Sequence, residues 1–330
     1  MNEPFPIEGK PESEVSYRID RKDQKCGESL ISIRVCQGGA AETFKGTVPV
    51  AIPYQQDRAF SGITVGPLDE QNLRTACLTT AAHASDCIDG STVSVAVLNE
   101  SGTLSVANIA DSPVMVFVVT GTGLVQGHYL IGDPHIAQPK IPIDWQRVPP
   151  EFRGDATLTK RFYDISISRA VGDKLYPLSS AAEICHYDVR RWLDEAGADG
   201  RVFLCVASDG ICPPMKDATP VIDDGEWVQH YAKVIQKLQL IQEPVQPLTS
   251  IDIADWVINE AVARRRAQYE LDNIVLQVTE IKPNRSQTMF LGICDGHRAA
   301  DYAGRDLSGT CAQLTAEKLL DCLLQPTRPS

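Results

Sequence analysis

Apolar positions along the chain fall into short continuous runs that are rich in β-branched residues, and such runs predict β-strands. The predicted strands span 29–35, 92–99, 103–110, 114–120, 201–208, 273–281 and 289–294. Between two pairs of strands the chain has turn residues typical of hairpins, NESG at 99–102 and GTG at 121–123. The pattern therefore predicts antiparallel sheets.

Apolar positions at helical spacing predict four helices, at 68–84, 225–240, 250–269 and 298–324. The helices stand between blocks of strands and do not alternate with single strands, which favours an α+β fold in which helices cover antiparallel sheets.

We expect a single domain over 1–330, with loose polar, Pro-containing termini at 1–14 and 325–330. We expect residues 134–165 to form a long irregular connection, which would be a flap beside a site.

The composition excludes several classes of partner. The 330 residues include 31 basic and 43 acidic side chains, and the net charge of −12 opposes binding to nucleic acid or to an anionic membrane. The densest basic run, Arg264-Arg265-Arg266, falls on a predicted helix, and we interpret it as a solvated helix face. The N-terminus resembles no signal peptide, and no apolar run approaches the ~18 residues of a membrane span, so we expect a soluble protein.

Ten cysteines raise the question of disulfides. Cys36, Cys205 and Cys294 lie inside apolar runs, where a free thiol packs as a small hydrophobic group. The spacing of cysteine and histidine does not match a metal site. Free thiols predict a reducing intracellular compartment, and we expect a cytoplasmic protein.

Acidic residues stand at the ends of several predicted strands. Asp209-Gly210 follows the strand at 201–208, Asp295-Gly296-His297 follows the strand at 289–294, and Asp272 opens the strand at 273–281. If the third strand is antiparallel to the other two, all three carboxylates lie at the same edge of one sheet. Asp57, after the apolar stretch VPVAIP, would join them.

Each of these acids, taken alone, is readily explained as a turn residue, since Asp-Gly is a common turn pair. Together they would repel one another, and such a cluster usually holds a cation. Carboxylate oxygens without histidine or cysteine spacing favour Mg²⁺ or Mn²⁺ over Zn²⁺.

Seven segments together resemble the metal-dependent serine/threonine protein phosphatases of the type 2C or PPM family. They are QQDR (55–58), GST (90–92), SVANIADS (105–112), SRAVGD (168–173), FLCVASDG (203–210), LDNIVLQV (271–278) and FLGICDGH (290–297). The matches span about 240 residues. The resemblance implies a four-layer α/β/β/α sandwich, in which two mainly antiparallel sheets are flanked by helix pairs and a two-metal site lies at one end.

The resemblance also implies roles for particular residues. The metal ligands would be Asp57, Asp209, Asp272, Asp295 and the carbonyl of Gly296, and Asp111 would belong to a third metal position. Two divalent ions activate a water molecule for attack on a phosphoryl group, so Asp57 and Asp295 also count as catalytic. His297 would protonate the leaving alkoxide, because an imidazole titrates near neutral pH.

The chain departs from the family pattern in the order of its segments and at single positions. The DGH segment follows the LDN strand instead of preceding it, which predicts that the strand and helix at 286–324 are relocated and the strand order is permuted. Ile52 stands where the family has a phosphate-binding arginine, and Gln56 replaces a glutamate. Arg58 or Arg298 would have to bind phosphate instead.

The sequence therefore predicts an enzyme that hydrolyses phosphoserine or phosphothreonine in a phosphoprotein substrate. It would use two Mg²⁺ or Mn²⁺ ions, or three if the third position is also filled. The alternative is a pseudophosphatase, a binding or regulatory module with the same fold and impaired catalysis, and a hydrolase of another phosphoester is a third option. We expect a monomer that binds neither nucleic acid nor membrane. A dimer in which two chains exchange their C-terminal segments is the alternative.

Overall fold

The computed structural model describes residues 15–40, 57–64, 68–130, 167, 169–174, 178–212, 226–241, 247–267, 273–297 and 310–325. Within these residues the chain forms five α-helices and fourteen strands. The helices are α1 (Glu70–His83), α2 (Val189–Ala196), α3 (Glu226–Ile241), α4 (Ser250–Ala267) and α5 (Thr310–Leu324). The fold is thus mixed, with helices and strands in comparable share.

The strands begin with β1 (Val15–Cys26), β2 (Ser29–Ala40), β3 (Arg58–Ile63), β4 (Gly90–Ser91), β5 (Val93–Leu98), β6 (Thr103–Ile109) and β7 (Val114–Val119). They continue with β8 (Val125–Tyr129), β9 (Val171–Gly172), β10 (Glu183–Asp188), β11 (Arg201–Ala207), β12 (Ile274–Ile281), β13 (Met289–Cys294) and β14 (Gly296–His297).

The strands form two large antiparallel sheets and one small sheet. The first sheet has the order β1-β2-β12-β11-β7-β8, and the second has the order β10-β6-β5-β13-β3. The short strands β14, β4 and β9 form the third. All named strand pairs are antiparallel.

All seven predicted strands are confirmed, with ends that differ from the prediction by a few residues. Both predicted hairpins are also confirmed, since β5 pairs with β6 and β7 pairs with β8. The predicted helices are confirmed as α1, α3, α4 and α5, although 298–309 lies outside the described residues. The loose termini lie outside them too, apart from Gln325, as does the whole of the predicted flap at 134–165.

Alternation along the inner strands explains how both of their faces are buried. Met115 and Phe117 of β7 pack into a cluster with α3 and α4, whereas Val116 and Val118 pack into a cluster formed by both large sheets and α2. A third cluster joins the second sheet to α1 and α5. Strands buried on both faces need continuous apolar runs, which is the pattern seen in the sequence.

One prediction about the strands was wrong. The strand at 289–294 was expected in the same sheet as the strands next to Asp209 and Asp272, but β13 lies in the second sheet, between β5 and β3. The segment after β12 carries the chain from one sheet to the other. A buried side chain joins the sheets here, because Gln277 of β12 donates from Nε2 to the carbonyl of Gly292 at 2.7 Å.

Two further observations concern the chain as a whole. All ten cysteines lie in the described residues, and each is a free thiol. Among the described residues, the helices are too short or too polar to cross a membrane.

Candidate functional site

The pairing of β3 with β13 brings Asp57 next to Asp295. Arg58 pairs with Cys294, so the residue before β3 and the residue after β13 are neighbours at the end of the second sheet. The register depends on a glycine, because a Cβ atom on Gly292 would lie 2.1 Å from the ring of Phe60. Asp57 is buried, with a relative exposure of 4%.

Asp209 reaches the same point from the first sheet. It follows β11 and opens a single turn of 3₁₀ helix, Asp209–Ile211. Its backbone N–H donates to Oδ2 of Asp295 at 3.2 Å. Three acids that come from strands of two facing sheets therefore meet at one end of those sheets.

The hydroxyl residues around the acids fix their backbone. The N–H of Thr92 donates to the carbonyl of Asp295 at 2.9 Å, and the N–H of Asp295 donates to Oγ1 of Thr92 at 3.3 Å. Ser208 is bound to Val275 of β12 in the same reciprocal way, at 2.9 Å for each of the two bonds. The ends of β11, β12 and β13 are therefore held in a fixed relation.

The electrostatics of Asp57 reflect this crowding. Burial and the negative charge of Asp209 raise the pKa of Asp57 from its ordinary value of 3.8 to about 6, although hydrogen bonds with Asp295 and Ser208 oppose the rise. One buried oxygen of Asp57, Oδ2, has no hydrogen-bond partner among the described residues. The carboxyl group is thus poised to bind a proton or a cation near neutral pH.

Carboxylates of this kind are the donors that Mg²⁺ and Mn²⁺ prefer, and the crowding of Asp57 suits a cation. In the conformation described, Asp57 is hydrogen-bonded to Asp295, and Asp295 accepts from the backbone N–H of Asp209. Within the described ranges no group of three or more histidine, cysteine, aspartate or glutamate side chains is placed to hold a metal ion. Asp272, the fourth predicted ligand, lies outside those ranges.

Several other predicted residues lie near the acids. Asp111 is in the turn after β6, and the next residue, Ser112, is hydrogen-bonded through its hydroxyl to Thr92. Gly296 and His297 form β14, whose backbone pairs with Ser91 and Gly90 of β4.

Arg58 donates from Nη1 to the backbone carbonyl of Asp57 at 3.0 Å and from Nε to Gln313 of α5. Its positive charge lowers the pKa of Asp57. The predictions for Ile52, Gln56 and Arg298 fall outside the described residues.

Arg265 corrects the interpretation of the basic run on α4. The side chain was expected in solvent but is buried, at 7% exposure. Its guanidinium donates to three backbone carbonyls, those of Gly210 at 3.1 Å, Asp209 at 3.3 Å and Cys212 at 3.4 Å. The interpretation of a solvated helix face is therefore wrong at Arg265, because a charged helix residue that faces the backbone carbonyls of a turn can bury its charge against them.

Sequence reasoning gave no role to Ser208, Thr92 or Arg265. The first two stand directly beside predicted segments, in SDG and GST, where a hydroxyl next to a strand end is a signal for a bond to a neighbouring backbone. Arg265 has no such signal, since its partner turn is 53 to 56 residues away along the chain.

Comparisons with known proteins give structural similarity at low sequence identity. No protein-family model matches the chain, and no curated protein matches its sequence. A bacterial serine phosphatase aligns over 83% of this chain and 99% of its own, with 11% identity and a TM-score of 0.40. The PP2C phosphatase domain of SpoIIE from Bacillus subtilis, with a fragment of its regulatory domain, aligns over 84% of this chain and 78% of its own, with 14% identity and a TM-score of 0.31.

A serine-threonine phosphatase 2C from Toxoplasma gondii has 17% identity and a TM-score of 0.34, and the alignment covers 55% of each chain. This chain thus spans about half the length of that protein. Identities and TM-scores at this level do not assign the chain to a family.

Proposed function

We propose that the chain is a metal-dependent phosphatase that hydrolyses phosphoserine or phosphothreonine in proteins. The observation that carries the proposal is the convergence of Asp57, Asp209 and Asp295 from the ends of strands in two facing sheets. A buried carboxylate whose pKa is raised by burial and by the charge of Asp209 is costly unless it serves a site, and a divalent cation offsets that cost. The seven segments that resemble the PPM family give the cluster its reaction class.

The same proposal extends to the architecture. We infer a four-layer α/β/β/α sandwich over one domain, with the segment 286–324 relocated within the chain relative to the PPM order. Support for the layers comes from the three hydrophobic clusters, which join α3 and α4 to the first sheet, the two sheets to each other, and α1 and α5 to the second sheet. Support for the relocation comes from β13, a late strand in the chain that pairs with the early strands β3 and β5.

Each residue would have a separate task. Asp57, Asp209, Asp272, Asp295 and the carbonyl of Gly296 would hold Mg²⁺ or Mn²⁺, with Asp111 at a third position. The ions would supply Lewis-acid activation of water and neutralisation of phosphoryl charge. His297 would donate the proton that the leaving serine or threonine oxygen needs, and Arg58 or Arg298 would bind the phosphoryl oxygens.

The test is Mn²⁺-dependent hydrolysis of p-nitrophenyl phosphate and of a phosphoserine peptide by the purified full chain. We expect activity that EDTA removes, and we expect Asp209→Asn and Asp295→Asn to lose both activity and calorimetric Mn²⁺ binding. The matched control is Asp86→Asn, which removes an exposed carboxylate that pairs with Lys174. Equal Mn²⁺ affinity in the wild type and in both site variants would contradict the proposal.

A pseudophosphatase is the second candidate, and two observations favour it. Ile52 and Gln56 replace residues that the family uses at its site, and the described acids are not arranged as a metal-binding group. The two candidates differ in a single assay: a pseudophosphatase binds a phosphopeptide without Mn²⁺-dependent turnover, whereas the enzyme releases phosphate. In either case we propose a monomer in the cytoplasm with a phosphoprotein partner.

A further inference from the structure

A second site is formed at the opposite end of the two large sheets. β5 begins beside Thr92, which is bonded to Asp295, and ends beside a cavity of about 660 Å³. The cavity is bounded by the β5–β6 turn (99–102), the first turns of α2 and the β12–β13 connection (282–286). The length of β5 therefore separates this cavity from the carboxylate cluster.

The cavity is basic although the chain is acidic. Three cationic side chains line it, Arg190, Lys282 and Arg285, against two acidic ones, Glu100 and Asp194. The whole chain has the reverse balance, with 31 basic and 43 acidic residues. Local excess of positive charge in a concave site concentrates anions.

Arg285 is the residue of the cavity whose cation has unpartnered nitrogens in the described part of the chain. Its guanidinium is partly buried, and its Nε and Nη1 have no hydrogen-bond partner among the described residues. Burial lowers the pKa of Arg285, and the charge of Glu28 opposes that change without forming an ion pair with Arg285 in the described structure. The carboxylate of Glu28 accepts instead from the hydroxyl of Ser286 at 3.0 Å. Nε and Nη1 have almost no accessible surface, so an oxyanion in the cavity reaches them only when the partly exposed side chain rotates toward it. A buried guanidinium without an acceptor is costly, and binding of an oxyanion after that rotation removes the cost.

The other two cations are available for the same ligand. Nη2 of Arg190 donates to the carbonyl of Ser101 at 2.9 Å, and Nζ of Lys282 lies 3.4 Å from the carbonyl of Glu28. Both contacts are with neutral backbone groups, so in the described structure the charge of each is not cancelled by an ion pair.

We propose that this cavity binds a small organic anion through a phosphate or carboxylate group. The planar fork of Arg285 matches two oxygens of either group, and Lys282 and Arg190 add point charges from two other directions. The volume is in the range of small-molecule sites, and Val189, Leu193 and Pro283 supply the apolar wall for the rest of the ligand. The site does not depend on the proposed phosphatase activity.

Calorimetric titration of the full chain tests the proposal, in EDTA and at constant ionic strength set with chloride. The probes are glycerol 3-phosphate for the phosphate source, succinate for the carboxylate source, and glycerol as the matched ligand without an anionic group. We expect at least one anion to bind and glycerol not to bind. Arg285→Gln should weaken the binding by roughly tenfold or more, because it removes a charge-assisted pair of hydrogen bonds.

Matched variants make the result specific. Lys282→Gln, at an exposed residue, should also weaken binding of the anion, and it replaces Arg285→Gln as the test if that variant perturbs the loop. Lys233→Gln removes an exposed charge on α3 and should leave the affinity for the anion unchanged. Asp209→Asn should bind the anion as the wild type does, which separates this site from the proposed metal site. The proposal is overturned if neither anion binds better than glycerol, or if the wild type, Arg285→Gln and Lys282→Gln bind with equal affinity.

Discussion

At the scale of the single residue, the buried carboxyl of Asp57 should make the stability of the metal-free protein depend on pH. Its pKa is raised by burial from 3.8 to about 6, so the folded state binds a proton more tightly than the unfolded state. The stabilising contribution is full below pH 3.8 and is lost as pH rises through about 6. The difference corresponds to roughly 3 kcal/mol at most.

Asp57→Asn should remove this dependence. In EDTA, the unfolding free energy of the wild type relative to the variant should fall by up to about 3 kcal/mol between pH 4 and pH 7.5, as measured by urea denaturation. Asp86→Asn is the control, because Lys174 lowers the pKa of that exposed carboxyl. Parallel pH profiles for the wild type and Asp57→Asn would show that Asp57 is not desolvated.

Ala110, which precedes Asp111, has a backbone conformation that alanine rarely adopts. Its φ is +82°, and its side chain is fully buried. Ala107, on β6 just before it, is equally buried and is not among the residues with positive φ, so it is a matched control. Replacement of either alanine by glycine loses a buried methyl group and adds chain entropy, at a cost of roughly 1 to 2 kcal/mol.

At Ala110 alone, glycine also relieves strain of roughly 1 to 2 kcal/mol. We therefore expect Ala110→Gly to be nearly neutral and Ala107→Gly to be destabilising, as measured by chemical denaturation. Equal losses would mean that the turn before Asp111 stores no strain.

His297 is the residue whose proposed role depends on the leaving group. His297→Ala should slow hydrolysis of a phosphoserine peptide much more than that of p-nitrophenyl phosphate, because nitrophenolate departs without a proton. The effect is measured as the ratio of kcat in the variant to kcat in the wild type, determined for each of the two substrates. Equal losses on both substrates would assign His297 to another task.

At the scale of the element, α4 holds the turn that carries Asp209, through Arg265. Arg265→Gln should lower the unfolding free energy by about 3 kcal/mol, because it leaves buried carbonyls without their charged donor. Hydrogen exchange of the amides at 209–212 should accelerate in the variant more than exchange elsewhere. A purely global loss of stability would not confine the acceleration to this turn.

The adjacent arginine supplies the control. Arg264 lies over the ring of Tyr231 and pairs with Glu260, and its side chain is 23% exposed. Arg264→Gln should cost less than about 1 kcal/mol. If both variants lose the same stability and the exchange at 209–212 is unchanged, Arg265 does not position the turn.

The elements differ in how well the sequence predicts them, and the difference has a physical reason. Strands such as β7 and β13 are buried on both faces and so have apolar runs that a pattern can detect. β1 was not predicted, since RIDRKDQ lies within it and its described side chains are mostly exposed; twelve backbone pairs with β2 hold it in place. The short segment β10–α2 was missed for a similar reason, because its periodicity covers too few residues.

Part of the candidate site was likewise predictable from the sequence, and part was not. The acids at strand ends were visible in the sequence, and the structure brings Asp57, Asp209 and Asp295 together. The sheet in which Asp295 stands was not predictable from its own strand. That choice depends on which strands flank β13 and on the fit of Phe60 over Gly292, and both are properties of distant partners.

At the scale of the whole molecule, the C-terminal segment should be indispensable to both the core and the site. β13 is an interior strand, paired on one side with β5 and on the other with β3, and α5 packs on the same sheet. Deletion of 286–330 would expose the facing edges of β3 and β5 together with the apolar surface that α5 covers. Edges of this kind pair with other chains, so the truncated protein should aggregate.

The deletion should also remove Mn²⁺ binding, because Asp295 is lost and Asp57 no longer has β13 to hold it. Sedimentation and calorimetry on the chain ending at 285 measure the two effects, and addition of a separate 286–330 peptide during refolding should restore both in part. Size-exclusion chromatography of the intact chain distinguishes a monomer from a dimer in which two chains exchange their C-terminal segments. The exchange requires a dimer, whereas the proposed fold requires only one chain. A chain ending at 285 that stays soluble and binds Mn²⁺ with unchanged affinity would exclude Asp295 and His297 from the site.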